Sequence, residues 1–201
     1  VLWLSQLYHQ AQGYPESLRL LHLYKDFTTK PKEKNLSEKF WKHFFPLAYE
    51  EAVLSYAKSR KVDPYFVNGI IRQESLFDSQ ALSPAGARGL MQIMPATGKK
   101  LYPKTKFKEP FESDALFNPD LNIQLGVKYV SQLNKRFNKN WMHILISYNA
   151  GPHVLKKWLK RFGHLSDQDV FIESIPYPET RRYVKHVLRN LGIYKALYSL
   201  S

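Results

Sequence analysis

Glu74 is the acidic residue whose neighbours say most about chemistry. It follows Ile71 by three residues and Ile70 by four, so on a helix it falls on the apolar face, at the C-terminal end. The negative end of the helix dipole and an apolar surround both favour the protonated carboxyl and raise its pKa. A carboxylic acid held protonated near neutrality can give a proton to a leaving oxygen, which breaking a glycosidic bond requires. The plainer alternative is that Glu74 caps its helix or pairs with Arg72 or Arg88, because acids at helix ends often turn outward. The run that follows, Ser83 to Pro95, mixes two glycines and two prolines with apolar residues. It reads as a shaped loop, in which glycine lets backbone approach a ligand closely. Its bland reading is a turn into a buried strand or short helix. Asp78, beside Ser79, reads as a turn residue rather than a second acid. Glu173 is another candidate acid, with pairing to Arg181 or Arg182 as its alternative.

The elements that must position these residues are helical almost throughout. Leu2 to Leu23 reads as two helices broken near Gly13, Tyr14 and Pro15. The polar stretch Thr28 to Asn35 reads as a linker, and composition turns apolar and aromatic from Phe40. These shifts put a boundary between about Asn35 and Pro46, giving a helical appendage over 1–40 and a main domain over 41–201. Asp63-Pro64 and Asn118-Pro119 each supply a cap followed by proline at the first helical position. From Asn118 an apolar stripe runs through Leu121, Leu125, Tyr129, Leu133 and Phe137 at helical period. Trp141 to Asn149 predicts a short apolar helix stopped by Gly151-Pro152, and Val154 to Phe162 the next. Ser166 with Asp169 resembles a capping box, and Pro178 opens a long final helix. No stretch alternates with period two, although Ala81 to Gln92 leaves room for a small β-hairpin. The fold class is therefore mainly α.

The formal net charge is +13, which favours an anionic partner without choosing among nucleic acid, acidic lipid and acidic polymer. Clusters such as Lys156-Lys157, Lys160-Arg161 and Arg181-Arg182 could neutralise phosphates. They interleave with apolar helical positions as solvated faces do, which argues against nucleic acid as the partner. There is no cysteine, so disulfides and thiolate metal sites are excluded. The seven histidines show no compact ligand spacing, and His43, His143 and His186 read as core-edge or surface residues in helices. No apolar run reaches the roughly 20 residues of a membrane span. The chain starts at Val1 with no signal peptide, and reads as a processed or excised product. Trp141 and Trp158 read as core; Tyr102, Phe107, Phe111 and Tyr177, near loops, are candidate groove walls.

Four ordered blocks carry a family resemblance. RQES (Arg72–Ser75), SPAGARGLMQIMPATG (Ser83–Gly98), SYNAGP (Ser147–Pro152) and FIESIPYPETRRYVKHVL (Phe171–Leu188) resemble the soluble lytic transglycosylase family over about Phe45 to Ser199. FFPLAY (Phe44–Tyr49) is similar to the segment that leads into these domains, and residues before it resemble the end of the superhelical region of larger members. The resemblance implies a lysozyme-like helical fold related to goose-type lysozymes, with peptidoglycan glycan strands and their peptide stems as substrate and no cofactor. It implies Glu74 as the single acid/base. Ser83, Gly89, Gln92 and Met94 would line the sugar groove. Tyr148 and Asn149 would face the acid, Tyr148 holding a reacting group by its hydroxyl, and Glu173 would lie near substrate. It also implies a periplasmic location. A goose-type lysozyme, which uses water on the same bond, and a binding-only wall module are the alternatives.

Overall fold

The computed structural model describes residues 2–28, 38–105, 107 and 109–199. Side-chain caps decide where three of the helices around the site start. Asp63 accepts a hydrogen bond from the Tyr65 amide at 2.9 Å, Asn118 from Leu121 at 3.0 Å and Asn140 from His143 at 3.0 Å. Each satisfies an amide that the first helical turn leaves unpaired. The helices so begun are α5 (Pro64–Ser75), α7 (Pro119–Arg136) and α8 (Trp141–Ala150). Around them lie α1 (Leu2–Gln10), α2 (Tyr14–Thr28), α3 (Glu38–Phe44), α4 (Glu50–Arg60), α6 (Pro95–Leu101), α9 (Pro152–Phe162), α10 (Gln168–Glu173) and α11 (Pro178–Tyr198). Two short 3₁₀ turns, Tyr102–Lys104 and Ser113–Phe117, bridge α6 to α7. The cap of α10 is Asp167, which accepts from the amides of Asp169 and Val170, rather than the expected Ser166. A carboxylate one position on meets the same need.

Helix α5 is the centre of the molecule. Phe66, Val67, Gly69, Ile70 and Ile71 are buried, so the helix is enclosed along most of its length before it reaches Glu74. Burial of each large side chain stabilises by about 1.5–3 kcal/mol. Gly69 faces α11, where a Cβ would sit in ordinary contact, 3.4 Å from the Val187 carbonyl. Arg72, also buried, does not turn toward Glu74. Its guanidinium lies 4.7 Å and 4.0 Å from the ring centroids of Phe44 and Phe45, and it donates to the Phe44 carbonyl at 2.6 Å. Those cation–π and charge-assisted contacts clamp α5 to the end of α3. At the other end of α11, Tyr194 donates to the Pro46 carbonyl and Tyr198 to those of Lys42 and Phe45.

The α1–α2 pair packs on this body through Leu18 and Leu21, both buried, and a polar knot. Ser5 and Ser17 lie 3.0 and 3.3 Å from His43 Nε2. Tyr14 packs against Tyr49 and Phe77, the latter just past the end of α5. Beyond Thr28, the expected linker lies outside the described residues.

The 81–94 loop forms isolated antiparallel bridges, Leu82 with Arg88 and Arg88 with Ile93, in place of a hairpin with strands. Positive φ at Gly86, Gly89 and Gln92 turns the chain every few residues, so no ladder extends. The loop is held from behind by α7. Asn122 accepts from the Met91 amide at 2.8 Å and donates to the carbonyls of Arg88 and Leu116 at 2.8 and 2.7 Å. One turn later the bare Cα of Gly126 receives the Met91 side chain, into which a Cβ would run directly. Among the described residues there is no strand, and no helix is long and apolar enough to cross a membrane.

The same substitution should therefore have opposite signs at two glycines. Gly126→Ala must displace Met91 and is expected to lower stability by about 1–3 kcal/mol. Gly192→Ala, on the open face of α11 with nothing within 4 Å, should raise it by about 0.5–1 kcal/mol. Urea midpoints measured at constant slope read both; equal signs would contradict the packing described.

Candidate active site

Glu74 opens into a cleft of about 320 Å³ between the end of α5, the 81–94 loop, the end of α8 and one face of α11. Burial raises its carboxyl from the usual 4.5 to about 7. The nearby Tyr183 hydroxyl pulls it back down, and the charge of Glu179 pushes it up. The Tyr183 hydroxyl is itself buried and stops short of a formed hydrogen bond. Neither arginine offered as a salt-bridge partner reaches the acid. Arg72 is held at Phe44 and Phe45, and Arg88 pairs with Asp114. The capping or pairing role is thereby set aside.

Ser83, Gln92 and Asn149 line this cleft with Glu74. Ser83 accepts from the Ala87 amide at 3.0 Å, closing a tight turn. Gln92 donates to the carbonyls of Ala81 and Gly89 at 3.0 and 2.9 Å, which stiffens the loop from within. Ser75 ties the loop to α5 by donating to the Leu90 carbonyl at 2.9 Å. Asn149 accepts from Thr180 at 2.6 Å, joining α8 to α11 beside the acid.

Three of the expected site residues sit differently, and a fourth, Tyr148, has a second task. Gly89 is buried behind the wall, where a Cβ would strike Asn122 and the Leu116 carbonyl, so it shapes the loop without facing the cleft. Tyr148 does lie beside the acid, whose charge adds to the upward push that burial gives its phenol, and it donates its hydroxyl to the Met91 carbonyl at 2.8 Å, so it also holds the loop. Met94 is exposed at the start of α6, outside the cleft lining. Glu173 is exposed at the end of α10, in an ion pair with Lys185, and does not reach the cleft. Asp78 accepts from the Gln80 amide at 2.8 Å, as a turn residue does. The proposed aromatic walls are elsewhere too: Tyr102 packs on Phe111, and Tyr177 on Trp158. Trp158 is buried, and Trp141 stacks on Phe66.

Sequence reasoning missed the α11 wall. Glu179, Arg182, Tyr183 and His186 all line the cleft, as does Gln73. Their spacing of three, four and seven residues places them on one helical face, a readable signal overshadowed by the apolar stripe beside it. His186, expected at a core edge or surface, is thus part of the site. Burial lowers its pKa, with Arg189, Arg182 and Lys185 adding to the effect. Glu179 is a second carboxylate in the same cleft. Among the described residues no three His, Asp or Glu side chains converge as metal ligands would.

A helical fold with one buried, protonatable acid at the end of a helix, opening into a polar cleft, is of the lysozyme-like class, and comparison with known proteins narrows it. Residues 51–171 match the transglycosylase SLT domain and residues 174–200 the soluble lytic transglycosylase helical domain. The chain belongs to the transglycosylase SLT domain family. It is 34% identical over 169 residues to the soluble lytic murein transglycosylase of Salmonella typhimurium, covering 81% of this chain and 26% of that one. The crystal structure of the 70 kDa soluble lytic transglycosylase of Escherichia coli superposes with a TM-score of 0.83 at 29% identity, over 96% of this chain and 29% of that one. An inactive glutamate-to-glutamine variant of lytic transglycosylase Slt from Pseudomonas aeruginosa superposes with a TM-score of 0.77 at 33% identity, with the same coverages. The chain spans about a quarter of the length of the curated relatives it matches.

The raised acid should leave a mark on stability. A carboxyl near 4.5 when unfolded and about 7 when folded binds more protons in the folded state between those values. Stability is therefore full below about pH 4.5 and falls as pH rises toward 7, by about 3 kcal/mol in all. Glu74→Gln removes that slope. Urea denaturation of both proteins at pH 4.5 and 8 should show the variant gaining on the wild type by this amount; parallel behaviour would place the acid in water.

Proposed function

We propose that this chain carries a peptidoglycan lytic transglycosylase activity, cutting the β-1,4 bond between N-acetylmuramic acid and N-acetylglucosamine without water. The observation that carries it is the buried carboxyl of Glu74, raised to about 7 in a cleft lined by its family's loop. Residues 41–201 would be the catalytic unit and 1–40 the end of a helical domain. The site of action would be the periplasmic cell wall, with glycan strands and their stems as the partner.

In the first step the Glu74 proton passes to the bridging oxygen, the bond from that oxygen to the muramyl C1 breaks, and the N-acetylglucosamine leaves as an alcohol. The carbonyl oxygen of the muramyl 2-acetamido group bonds to C1 and spreads the positive charge. Glu74, now a carboxylate, takes the proton of the C6 hydroxyl on the same sugar. That oxygen attacks C1, displaces the acetamido oxygen and closes a 1,6-anhydro ring, so no water is consumed. An internal hydroxyl held at the reacting carbon competes strongly with water. Burial suits both halves, because a group near pH 7 gives up and regains a proton at similar cost. The inactivity of a glutamate-to-glutamine form of the Pseudomonas aeruginosa relative is in keeping with a single essential acid.

The presence of Glu179 in the cleft favours a second reading, in which it activates water and the product is a reducing muramyl end. Mass spectrometry of digested sacculi separates the two. Anhydro-muramyl ends are expected, and reducing ends alone would make the chain a hydrolase. Glu74→Gln should lose at least about 100-fold in turnover, and wild-type turnover should fall as pH rises past about 7, where the acid form is depleted.

A further inference from the structure

A second cavity, of about 440 Å³ and larger than the first, lies between α6, the C-terminal half of α7 and the first residue of α9. Its lining includes Ala96, Thr97, Lys100, Tyr129, Arg136 and Pro152, and among the described residues no acidic one contributes. Two chain segments pass from one cavity to the other. The 92–97 segment gives Gln92 to the catalytic cleft and Ala96 and Thr97 to the second cavity. The 149–152 segment gives Asn149 to the first and Pro152 to the second, a reach of about 10 Å at most. Between them the Tyr129 and Tyr148 rings meet at 5.4 Å, and Tyr148 is the residue that holds the loop through Met91. Met94, exposed, belongs to the first of these segments.

The two cavities differ in charge. The catalytic cleft holds two carboxyls, Glu74 and Glu179, beside Arg182 and His186. The second holds two cations over an apolar and aromatic floor. Arg136 lies close enough to the Tyr129 phenol for its charge to offset part of the upward shift that burial causes. We propose that this second cavity is a subsite for a carboxylate carried by the same glycan strand, with Lys100 and Arg136 as the residues that select anionic strands over neutral ones. This rests on the strand-cleaving reading above. The carboxylate has two sources, the peptide stem or the lactyl group left when the stem is removed.

Binding rather than turnover tests it, with Glu74→Gln as the common background so that no strand is consumed. Dissociation constants are measured for stem-bearing strands, stem-free strands that keep the lactyl carboxylate, and neutral N-acetylglucosamine oligomers of equal length. Stem-bearing strands should bind more tightly than neutral ones, and adding Lys100→Gln and Arg136→Gln should shrink that preference by about tenfold. Removing the same charge from α9 with Lys156→Gln and Lys157→Gln, both exposed and outside the cavity, should leave the preference intact. Tighter binding of stem-free than of stem-bearing strands assigns the lactyl carboxylate, which is free only once the stem is removed; tighter binding of stem-bearing strands assigns the stem; equal binding, both tighter than neutral, shows that the subsite takes either carboxylate. No preference over neutral oligomers, or equal loss in both double variants, overturns the subsite. Failure of the cleavage reading shows separately, as absence of new ends in digests by the wild type.

Discussion

Removing the Glu74 carboxyl from water is the constraint on which the rest of the site turns. A carboxylate prefers to stay hydrated, so the protein must surround this group with structure that cannot relax to readmit solvent. Enclosed α5 meets that need from below, and the buried hydroxyl of Tyr183 meets it from the side of α11. The Arg72 clamp at Phe44 and Phe45 matters for the same reason. It keeps a cation two residues away from neutralising the acid.

The wall opposite is made from a loop that would be unsettled on its own. Glycine supplies its turns, Gln92 and Ser83 bond it internally, and α7 latches it through Asn122. Satisfied buried polar groups of this kind fix one conformation more firmly than apolar packing does. Tyr148 extends the latch to α8 by bonding the Met91 carbonyl. Two helices, α7 and α8, thus converge on one residue, Met91, whose own side chain faces away from the cleft into Gly126.

Much of this was legible in the sequence where local chemistry decides the outcome. The caps at Asp63 and Asn118, the position of Glu74 and the cleft residues Ser83, Gln92 and Asn149 follow from spacing and from motif resemblance. What was not legible depends on neighbours distant in the chain. Nothing near Tyr148 says that its hydroxyl meets a carbonyl 57 residues earlier, and nothing near Asn122 says that it latches a loop. Glu173 carries the right chemistry, but α10 ends so that Lys185 is its partner. The polar face of α11 was the missed signal. Glu179, Arg182, Tyr183 and His186 have helical spacing, yet an apolar stripe with the same period dominates the reading.

That face has a geometric consequence. Because one uninterrupted helix of 21 residues builds the whole wall, its four cleft residues cannot be respaced one at a time. From Glu179 to His186 the helix advances by about 10 Å, at 1.5 Å per residue. The wall is a ruler of fixed pitch, so any fitting must be done by whatever lies in the cleft.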